Sequence, residues 1–286
     1  MRVFLTGANG FLGGALLDAL LSSGHDVVAP VRGGDLPTRV ERIHVDDLFK
    51  HPSSSLRVSL AGVDSVIHAA WASQSRDVLH DLGNWNSMSG SILLGSLARE
   101  AEVRHFIGIG TCLEYDTSFG YLTPETPLNP SSTYGLAKVA TFQGLSSLFE
   151  SSNSVFSWVR PFFLYGRGDK QYKLASQLYD AARDGSSVVI QNPSLIRDFL
   201  PVEEAASQIV SLLTNPLSAS GSGGPETNTR VYNVCSGVPR TVRQFAQELS
   251  QNLGGVKLEY GDELPSRVGK GNLSPLIVGQ PSALLS

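Results

Sequence analysis

Two residues that could transfer a proton, Tyr134 and Lys138, lie four positions apart in a segment with a helical pattern. Four residues make about one turn of an α-helix, so both side chains lie on one face and can reach one substrate. A free phenol has a pKa of about 10, and a neighbouring ammonium lowers that pKa towards neutrality. The pair therefore predicts an acid or base, Tyr134, tuned by Lys138. The alternative is a chance pairing on a structural helix.

A third polar residue, Thr111, comes directly after a short apolar strand predicted over residues 106–109. A hydroxyl at the carboxyl end of such a strand can bond a carbonyl or alkoxide oxygen while Tyr134 transfers the proton. The alternative is that Thr111 only caps the strand end.

A glycine turn follows the first apolar strand, with glycines at Gly7, Gly10 and Gly13. Glycines here permit a tight turn, let the backbone approach a pyrophosphate and pack the next helix close to the strand. The helix N-terminus beyond the turn favours anions. The spacing is GxxGxxG rather than the GxGxxG dinucleotide fingerprint, and a purely structural turn is the alternative.

The elements that must position these residues alternate between strand and helix, which predicts a parallel, doubly wound sheet. In such sheets ligands bind outside the carboxyl ends of the strands. The predicted strands lie near residues 3–6, 25–31, 43–45, 63–68, 106–109 and 155–161, and the helices near residues 11–21, 92–101 and 131–149. Beyond Gly166 the pattern is less regular. It predicts helices near residues 174–183, 202–213 and 241–253, an apolar stretch at 188–191, a flexible loop at 218–229 and a poorly specified tail from Leu273.

Composition excludes several classes of function. The chain has 286 residues, 41% of them hydrophobic, with a net charge of -4, so no basic surface predicts binding to a nucleic acid or an anionic membrane. The cysteines, Cys112 and Cys235, form no CxxC or Cys/His cluster, which argues against a disulfide framework or a metal site and favours two core residues. Met1 leads directly into a strand, and no apolar run of about 20 residues occurs, so we expect a cytoplasmic enzyme without a leader or a membrane span.

These motifs together resemble those of the extended short-chain dehydrogenase/reductases, in the nucleotide-sugar epimerase, dehydratase and reductase branch. The resemblance runs from residue 2 to about residue 250 and is carried by TGANGFLG at 6–13, Asp64 with His68-Ala69-Ala70, Thr111, Tyr134 with Lys138, the segment 160–166, Arg197-Asp198-Phe199 and the segment 233–237. It implies a dinucleotide-binding Rossmann domain over residues 1–165, with returning segments near 188–213 and 231–236. Residues 166–286 would form mainly a smaller substrate-binding lobe.

The cofactor site implied by the resemblance has members in every part of the first domain. They are Gly7, Asn9, Gly10, Phe11, Leu12, Gly13, Asp47, Leu48, His68, Ala69, Ala70, Lys138 and Pro161. The second strand ends in Val31-Arg32, with no acid to repel a 2′-phosphate and a guanidinium able to bind it. NADP(H) is therefore predicted over NAD(H), which stays possible, with Arg32 as the phosphate ligand and Arg39 as a second candidate. Alternatively, Arg32 is a solvated loop residue.

The substrate site implied by the resemblance comprises Trp71, Thr111, Cys112, Tyr134, Phe163, Arg197 and Arg267. Arg197 matches a diphosphate-binding arginine, and an ion pair with Asp198 is the alternative. Phe163 replaces an asparagine of many relatives, and Trp71 either walls the sugar pocket or packs between the lobes. Where many relatives have a proton-relay asparagine before the helix glycine, this chain has Ser87, with Asn86 beside it.

The reaction type depends on the residues after Thr111. Relatives that are dehydratases carry a glutamate two positions after the threonine, where this chain has Leu113. Glu114 is one residue further on and, with strand-like alternation, points to the other side of the chain. A dehydratase is therefore disfavoured, with a displaced Glu114 as its remaining candidate base. Glu114 is instead expected to be a partly exposed, half-buried loop acid. The leading hypothesis is NADPH-dependent reduction of a keto group, at C4, of a nucleotide-linked deoxy sugar by a homodimeric enzyme. The alternatives are a nucleotide-sugar epimerase with tightly bound NAD and, less favoured, a non-catalytic dinucleotide-sensing or scaffold protein.

Overall fold

The computed structural model describes residues 1–49, 54–72, 77–214, 228–261 and 274–282. The strands are β1 (Arg2–Thr6), β2 (Asp26–Val31), β3 (Glu41–His44), β4 (Ser65–His68), β5 (His105–Ile109), β6 (Tyr121–Leu122), β7 (Val155–Pro161), β8 (Phe163–Tyr165), β9 (Ser187–Ile190), β10 (Ile196–Pro201), β11 (Thr229–Val234), β12 (Pro239–Thr241), β13 (Lys257–Tyr260) and β14 (Leu276–Gly279). The helices are α1 (Phe11–Ser22), α2 (Ser54–Ser59), α3 (Gly83–Glu100), α4 (Thr133–Glu150), α5 (Leu174–Asp184), α6 (Val202–Ser211) and α7 (Val242–Asn252).

A seven-stranded parallel sheet, in the order β3, β2, β1, β4, β5, β7, β11, forms the centre of the fold. Both of its faces are buried. Val3 and Leu5 of β1 belong to the apolar core that includes Leu16 of α1 and Ile209 of α6, whereas Phe4 belongs to the core on the opposite face, with α3 and α4. Burial on both faces explains the nearly continuous apolar strands in the sequence. The predicted α/β fold with a doubly wound parallel sheet is confirmed.

The start of α3 was not predicted. The helix begins at Gly83, nine residues before the predicted start at residue 92, because its first half buries small and polar side chains rather than apolar ones. The inward-facing residues there are Asn84, Ser87, Gly90 and Ser91. An apolar period of 3.6 residues is therefore absent from this half of the helix. By contrast, the predicted cap of α7 is present, since Thr241 Oγ1 accepts a hydrogen bond of 3.0 Å from Gln244 N.

Most of the remaining strands form a second sheet, which the sequence pattern did not predict. It runs β12, β10, β14, β6, with β8 paired to β10, and a separate parallel pair joins β9 to β13. The segment predicted to return to the first domain near residues 188–213 is divided, since α6 packs on α1 while β9 and β10 lie outside the seven-stranded sheet. Strands of two to six residues give too short a pattern for prediction.

The chain end differs from its prediction. The tail from Leu273 was predicted to be poorly specified, but β14 pairs in parallel with both β10 and β6. The predicted loop at 218–229 lies outside the described residues apart from Asn228 and Thr229, which begins β11. No helix in the described part of the chain has the length and apolar character needed to cross a membrane.

Candidate active site

The predicted site residues meet at one edge of the large sheet. The turn after β1, the segment after β4 and Thr111 after β5 all follow the carboxyl ends of neighbouring parallel strands. The strand order reverses between β1 and β4, which is where ligands bind in sheets of this kind. The first turn of α4, which carries Tyr134, lies beside the same edge, because Tyr134 N donates a 3.0 Å hydrogen bond to Leu79 O and a Cβ at Gly135 would lie 2.6 Å from Leu113 O.

The glycine turn is a backbone cradle in which Gly7 and Gly13 leave no room for a side chain. Gly7 has a φ of +76°, and Gly10 N donates a hydrogen bond of 2.8 Å to Gly7 O. A Cβ at Gly13 would lie 1.8 Å from Gly7 O. Gly10 contributes no capping side chain to α1, so the first N–H groups of the helix remain available to an anion. The cradle fits the pyrophosphate of a dinucleotide.

The other residues of the turn have different contacts. Asn9 Nδ2 donates a 2.8 Å hydrogen bond to Gly33 O and so ties the turn to the loop that carries Arg32. Phe11 lies towards Gly166, since a Cβ there would be 3.5 Å from Phe11 Cε2. Leu12 packs against the core beneath α1.

His68 links the glycine turn to α3 by a chain of buried hydrogen bonds. Ala70 N donates to Thr6 Oγ1 (3.1 Å), which is 2.8 Å from His68 Nδ1, while His68 Nε2 is 2.7 Å from Ser91 Oγ. Ser91 Oγ itself donates to Ser87 O, so it accepts from His68. This pattern assigns a neutral imidazole with its proton on Nε2. Burial, with Lys138 adding to it, lowers the pKa of His68 to about 3.

The segment after His68 lies directly on the glycine turn. A Cβ at Gly7 would be 2.8 Å from Ala70 N, so Gly7 lets the two loops touch. Ala69 and Ala70 are half-buried, and Trp71 beyond them donates a hydrogen bond of 2.7 Å from its indole N–H to Asn84 Oδ1. The neutral His68 thus supports the segment that lies on the glycine turn.

Thr111 is held by a buried glutamate. Thr111 N donates a 2.8 Å hydrogen bond to Glu114 Oε1, and Thr111 Oγ1 accepts one of 3.3 Å from Leu113 N, across a short 3₁₀ turn at Cys112–Glu114. Glu114 also accepts hydrogen bonds from Trp158 Nε1 and Arg160 Nε, the latter in an ion pair of 2.7 Å. The expectation of a half-exposed loop acid is wrong, because Glu114 is fully buried.

Tyr134 and Lys138 lie one turn apart on α4, but the ammonium is directed elsewhere in this structure. Lys138 Nζ donates a 2.6 Å hydrogen bond to Ile109 O and lies 3.6 Å from the centroid of the Trp71 ring, against 5.8 Å for the Tyr134 ring. Burial lowers the pKa of Lys138 to about 7, opposed by the charge of Glu114. Burial raises the pKa of Tyr134, the charge of Glu114 raises it further, and a hydrogen bond with Thr111 lowers it.

The prediction that Lys138 lowers the pKa of Tyr134 is wrong for the protein without a ligand. Without a ligand, the phenol is held in its protonated form, and the Thr111 side chain opposes the rise in its pKa. A protonated phenol donates a proton and does not abstract one.

Two questions that the motifs left open concern a proton-relay asparagine near the start of α3 and a base for a dehydratase after β5. Ser87 is buried and faces the site, where its Oγ accepts a 3.0 Å hydrogen bond from Ala72 N, while Asn86 is exposed. Asn86 is therefore not placed as a proton relay. Glu114, the remaining candidate base for a dehydratase, directs its carboxylate at Thr111 N, Trp158 and Arg160.

The residues predicted to choose the cofactor lie at the other end of the site. Arg32 and Arg39 are exposed, and neither forms an ion pair with a described carboxylate. Asp47 Oδ1 accepts a 2.9 Å hydrogen bond from Phe49 N, and Leu48 packs against the core beneath α3. Pro161 is buried at the end of β7.

The residues predicted to hold the substrate lie partly in the second sheet. Arg197 of β10 donates from Nη1 to Ile196 O and Ser274 O and lies 5.3 Å from the Phe163 ring centroid. Asp198 accepts instead from Ser236 and Gly237, so the alternative of an Arg197–Asp198 ion pair is wrong. Cys112 is buried, and burial raises the pKa of its thiol to about 12. Arg267 lies outside the described residues.

Three residues were not assigned to the site from the sequence. Asn84 is fully buried and holds Trp71, and Glu114 and Arg160 support Thr111 from behind. Each is a polar residue inside an apolar or helical segment, and this placement is the feature of the sequence that could have indicated a buried polar role. Among the described residues, no group of three or more His, Cys, Asp or Glu is placed to hold a metal ion.

Comparison with known proteins gives a family match. Residues 3–235 match the model of the NAD dependent epimerase/dehydratase family. A curated relative from Aggregatibacter actinomycetemcomitans, dTDP-6-deoxy-L-talose 4-dehydrogenase (NAD(+)), is 23% identical over 87% of this chain and 89% of its own length. UDP-glucose 4-epimerase of Mycolicibacterium smegmatis is 26% identical over 89% of this chain and 83% of its own.

The fold has a solved counterpart as well. The crystal structure of UDP-glucose 4-epimerase from Thermus thermophilus in complex with NAD has a TM-score of 0.80 with this chain at 19% identity. The match covers 98% of this chain and 91% of that structure. At this identity the likeness establishes the fold.

Proposed function

Because the chain belongs to the NAD dependent epimerase/dehydratase family, we propose that it is an NADPH-dependent reductase of a keto group, at C4, of a nucleotide-linked deoxy sugar. The observation that carries the proposal is the placement of Thr111, Tyr134 and Lys138 beside the glycine cradle. The intact set argues against a protein that only senses dinucleotides. The relative named for 6-deoxy-L-talose and a 4-dehydrogenase supports the sugar class and the position.

The cofactor would be held by the glycine cradle, the segment at residues 68–70 and Lys138. When bound, a reduced nicotinamide supplies the hydride that reduces the ketone. Arg32 supports NADP(H), since it is exposed, free of any described carboxylate and tied by its loop to Asn9 through Gly33. The named relative uses NAD(+), so the NADP preference depends on Arg32.

Residues of the chain would supply the proton that the reduced oxygen takes up. Thr111 Oγ1 would hold the substrate oxygen, and Tyr134 Oη would donate its proton to the alkoxide that develops there. The resulting phenolate would be stabilised by the Lys138 ammonium and reprotonated from solvent. Burial, and then the charge of Glu114, keep Tyr134 protonated before the reaction, so its proton is present for transfer.

The substrate would lie between the sheet edge and the lobe proposed over residues 166–286. Arg197 would bind the diphosphate, since Nη1 is the nitrogen of its guanidinium that donates hydrogen bonds to described residues, and the other nitrogens carry further donors. Trp71, Cys112 and Phe163 would line the sugar pocket, and Arg267 would be a second clamp. A homodimer is also proposed, because Leu82 and Trp85 of the α3 region and Leu136 of α4 are exposed apolar side chains on packed helices.

The second candidate is a nucleotide-sugar epimerase with tightly bound NAD, favoured by the relative named UDP-glucose 4-epimerase. The two reactions differ in what the cofactor does. A reductase consumes NADPH in equal amount to product, whereas an epimerase recycles its bound cofactor.

The experiment is to denature the purified protein, identify any released dinucleotide, and follow NADPH oxidation with dTDP-4-keto-6-deoxyglucose. We expect little bound NAD and NADPH-dependent turnover, reduced by a factor of about 10²–10⁴ in Tyr134→Phe. Tyr121→Phe, at an exposed tyrosine of β6, is the matched control and should keep wild-type turnover. Stoichiometric NAD with sugar interconversion and no NADPH use would establish the epimerase instead.

A further inference from the structure

Trp71 contacts both Tyr134, the proposed proton donor, and Lys138, the cation proposed to stabilise its phenolate. The Lys138 ammonium lies 3.6 Å from the centroid of its ring, within the range of a cation–π interaction. The Tyr134 ring lies nearly perpendicular to it, with centroids 6.1 Å apart and an interplanar angle of 84°. One indole therefore packs against the proton donor and the cation of the same site.

The orientation of this indole is fixed by Asn84. The indole N–H donates a hydrogen bond of 2.7 Å to Asn84 Oδ1. Asn84 is fully buried, and its Nδ2 donates to Val78 O and Asp81 O at 2.7 Å each, so both amide hydrogens are engaged. The amide oxygen consequently points at the indole in the only orientation that satisfies every group.

Lys138 has few other partners for its charge. Its side chain is buried, its recorded hydrogen bond goes to the neutral carbonyl of Ile109, and it forms no ion pair with a described carboxylate. The groups that face it are Glu114, whose charge is shared with Arg160, the neutral His68, and Tyr134 of its own helix. An ammonium has three donors, and a single neutral acceptor does not offset its desolvation.

We propose that Trp71, clamped by Asn84, is a positioning residue that holds the Lys138 ammonium against its ring face, one helical turn from Tyr134, and keeps it protonated inside the site. The electron-rich ring face replaces part of the hydration that Lys138 loses on burial. Without it, the buried lysine would release its proton at a lower pH. The catalytic meaning of this role depends on the proposed function, whereas the contact itself does not.

The test measures the pKa of Lys138 in the protein without cofactor or substrate, by NMR titration of lysine labelled with ¹³C at Cε. The Lys138 signal is assigned by its absence in Lys138→Arg. In Trp71→Leu we expect the pKa to fall by about one unit, the size of a lost cation–π contact in a desolvated site. Trp71→Phe keeps a weaker ring face, so its Lys138 pKa should lie between the values of the wild type and of Trp71→Leu.

The matched control is Trp85→Leu, which removes a partly exposed tryptophan of α3 and should leave the Lys138 pKa unchanged. If Trp71→Leu does not fold, Trp71→Met, which keeps an apolar side chain without a ring, takes its place. A wild-type Lys138 pKa in the folded ringless variant overturns the proposal. A lowered pKa in an enzyme that proves not to be a reductase leaves the positioning role intact and removes only its proposed reaction.

Discussion

The Glu114 carboxylate accepts a hydrogen bond of 2.8 Å from the backbone N–H of Thr111, so a fully buried charge fixes the residue proposed to hold the substrate oxygen. The same carboxylate is paired with Arg160, whose guanidinium lies 4.5 Å from the centroid of the Tyr115 ring. A buried carboxylate that accepts hydrogen bonds from three donors, Thr111 N, Trp158 Nε1 and Arg160 Nε, gives the site a rigid wall behind Thr111 and Tyr134.

Removing one partner of this ion pair should be costly. We expect Glu114→Gln to lower the free energy of unfolding by about 3–5 kcal/mol, because Arg160 is then left buried without a counter-charge. Urea denaturation measures the change. Glu100→Gln, which breaks the exposed pair of Arg57 with Glu100, should cost less than about 1 kcal/mol. Equal losses in the two variants would show that burial does not govern the strength of the Glu114 pair.

Two adjacent glycines in α1 should respond in opposite ways to alanine. A Cβ at Gly13 would lie 1.8 Å from Gly7 O, whereas at Gly14 its nearest recorded neighbour is Ala8 O at 3.7 Å. We expect Gly13→Ala to distort the cradle and abolish dinucleotide binding. Gly14→Ala should bind normally and gain up to about 1 kcal/mol of helix stability. Thermal shift with NADPH and NADH reads both effects, and normal binding by Gly13→Ala would contradict the assignment of the cradle.

The sequence predicted the residues that follow strand ends but not the residues behind them. Local patterns predict some site residues from the sequence alone: glycine spacing for Gly7, a strand end for Thr111 and a helical pair for Tyr134. The burial of Glu114 could not be predicted from the sequence, since its partners Trp158 and Arg160 are more than forty positions away in the chain. The position of the Lys138 ammonium over the Trp71 ring likewise depends on a contact between segments far apart in sequence.

The free energy of unfolding should decrease as the pH is lowered, because two histidines are buried in their neutral form. Burial lowers the pKa of His68 to about 3, with Lys138 contributing, and that of His105 to about 4. In the unfolded chain an imidazole has a pKa of about 6.5. Between these values the unfolded state binds protons that the folded state does not, so the free energy of unfolding decreases as the pH falls below about 6.5.

The contribution of His68 can be isolated by substitution. Well below pH 6.5, each buried neutral histidine adds about 1.4 kcal/mol per pH unit to the slope of the unfolding free energy against pH. His68→Gln should remove the contribution of one histidine from this slope. His44→Gln, at a histidine whose side chain is 70% exposed, is the control and should keep the wild-type slope. Urea titrations from pH 7 to 4.5 measure the slopes. An unchanged slope in folded His68→Gln would show that His68 is not held neutral.

Cofactor preference should depend on the charge at Arg32. Replacing it with aspartate removes a charge-assisted contact to the 2′-phosphate and adds a repulsive charge. We expect Arg32→Asp to raise the Kd for NADPH by ten- to a hundredfold, which corresponds to about 1.4–2.8 kcal/mol, and to leave NADH binding unchanged or improved. Arg99→Asp makes the same charge change at an exposed position near the end of α3 and should alter neither affinity. Parallel losses for both cofactors in Arg32→Asp would contradict the phosphate contact.

The most direct test of the central claim is the transfer of deuterium from NADPH labelled at the reactive C4 of its nicotinamide to dTDP-4-keto-6-deoxyglucose. The account predicts one deuterium at C4 of the product sugar and one NADP⁺ for each product molecule, with the rate of this transfer lowered by a factor of about 10²–10⁴ in Tyr134→Phe. Product that carries no deuterium, formed without NADPH consumption by protein that retains bound NAD, would contradict it.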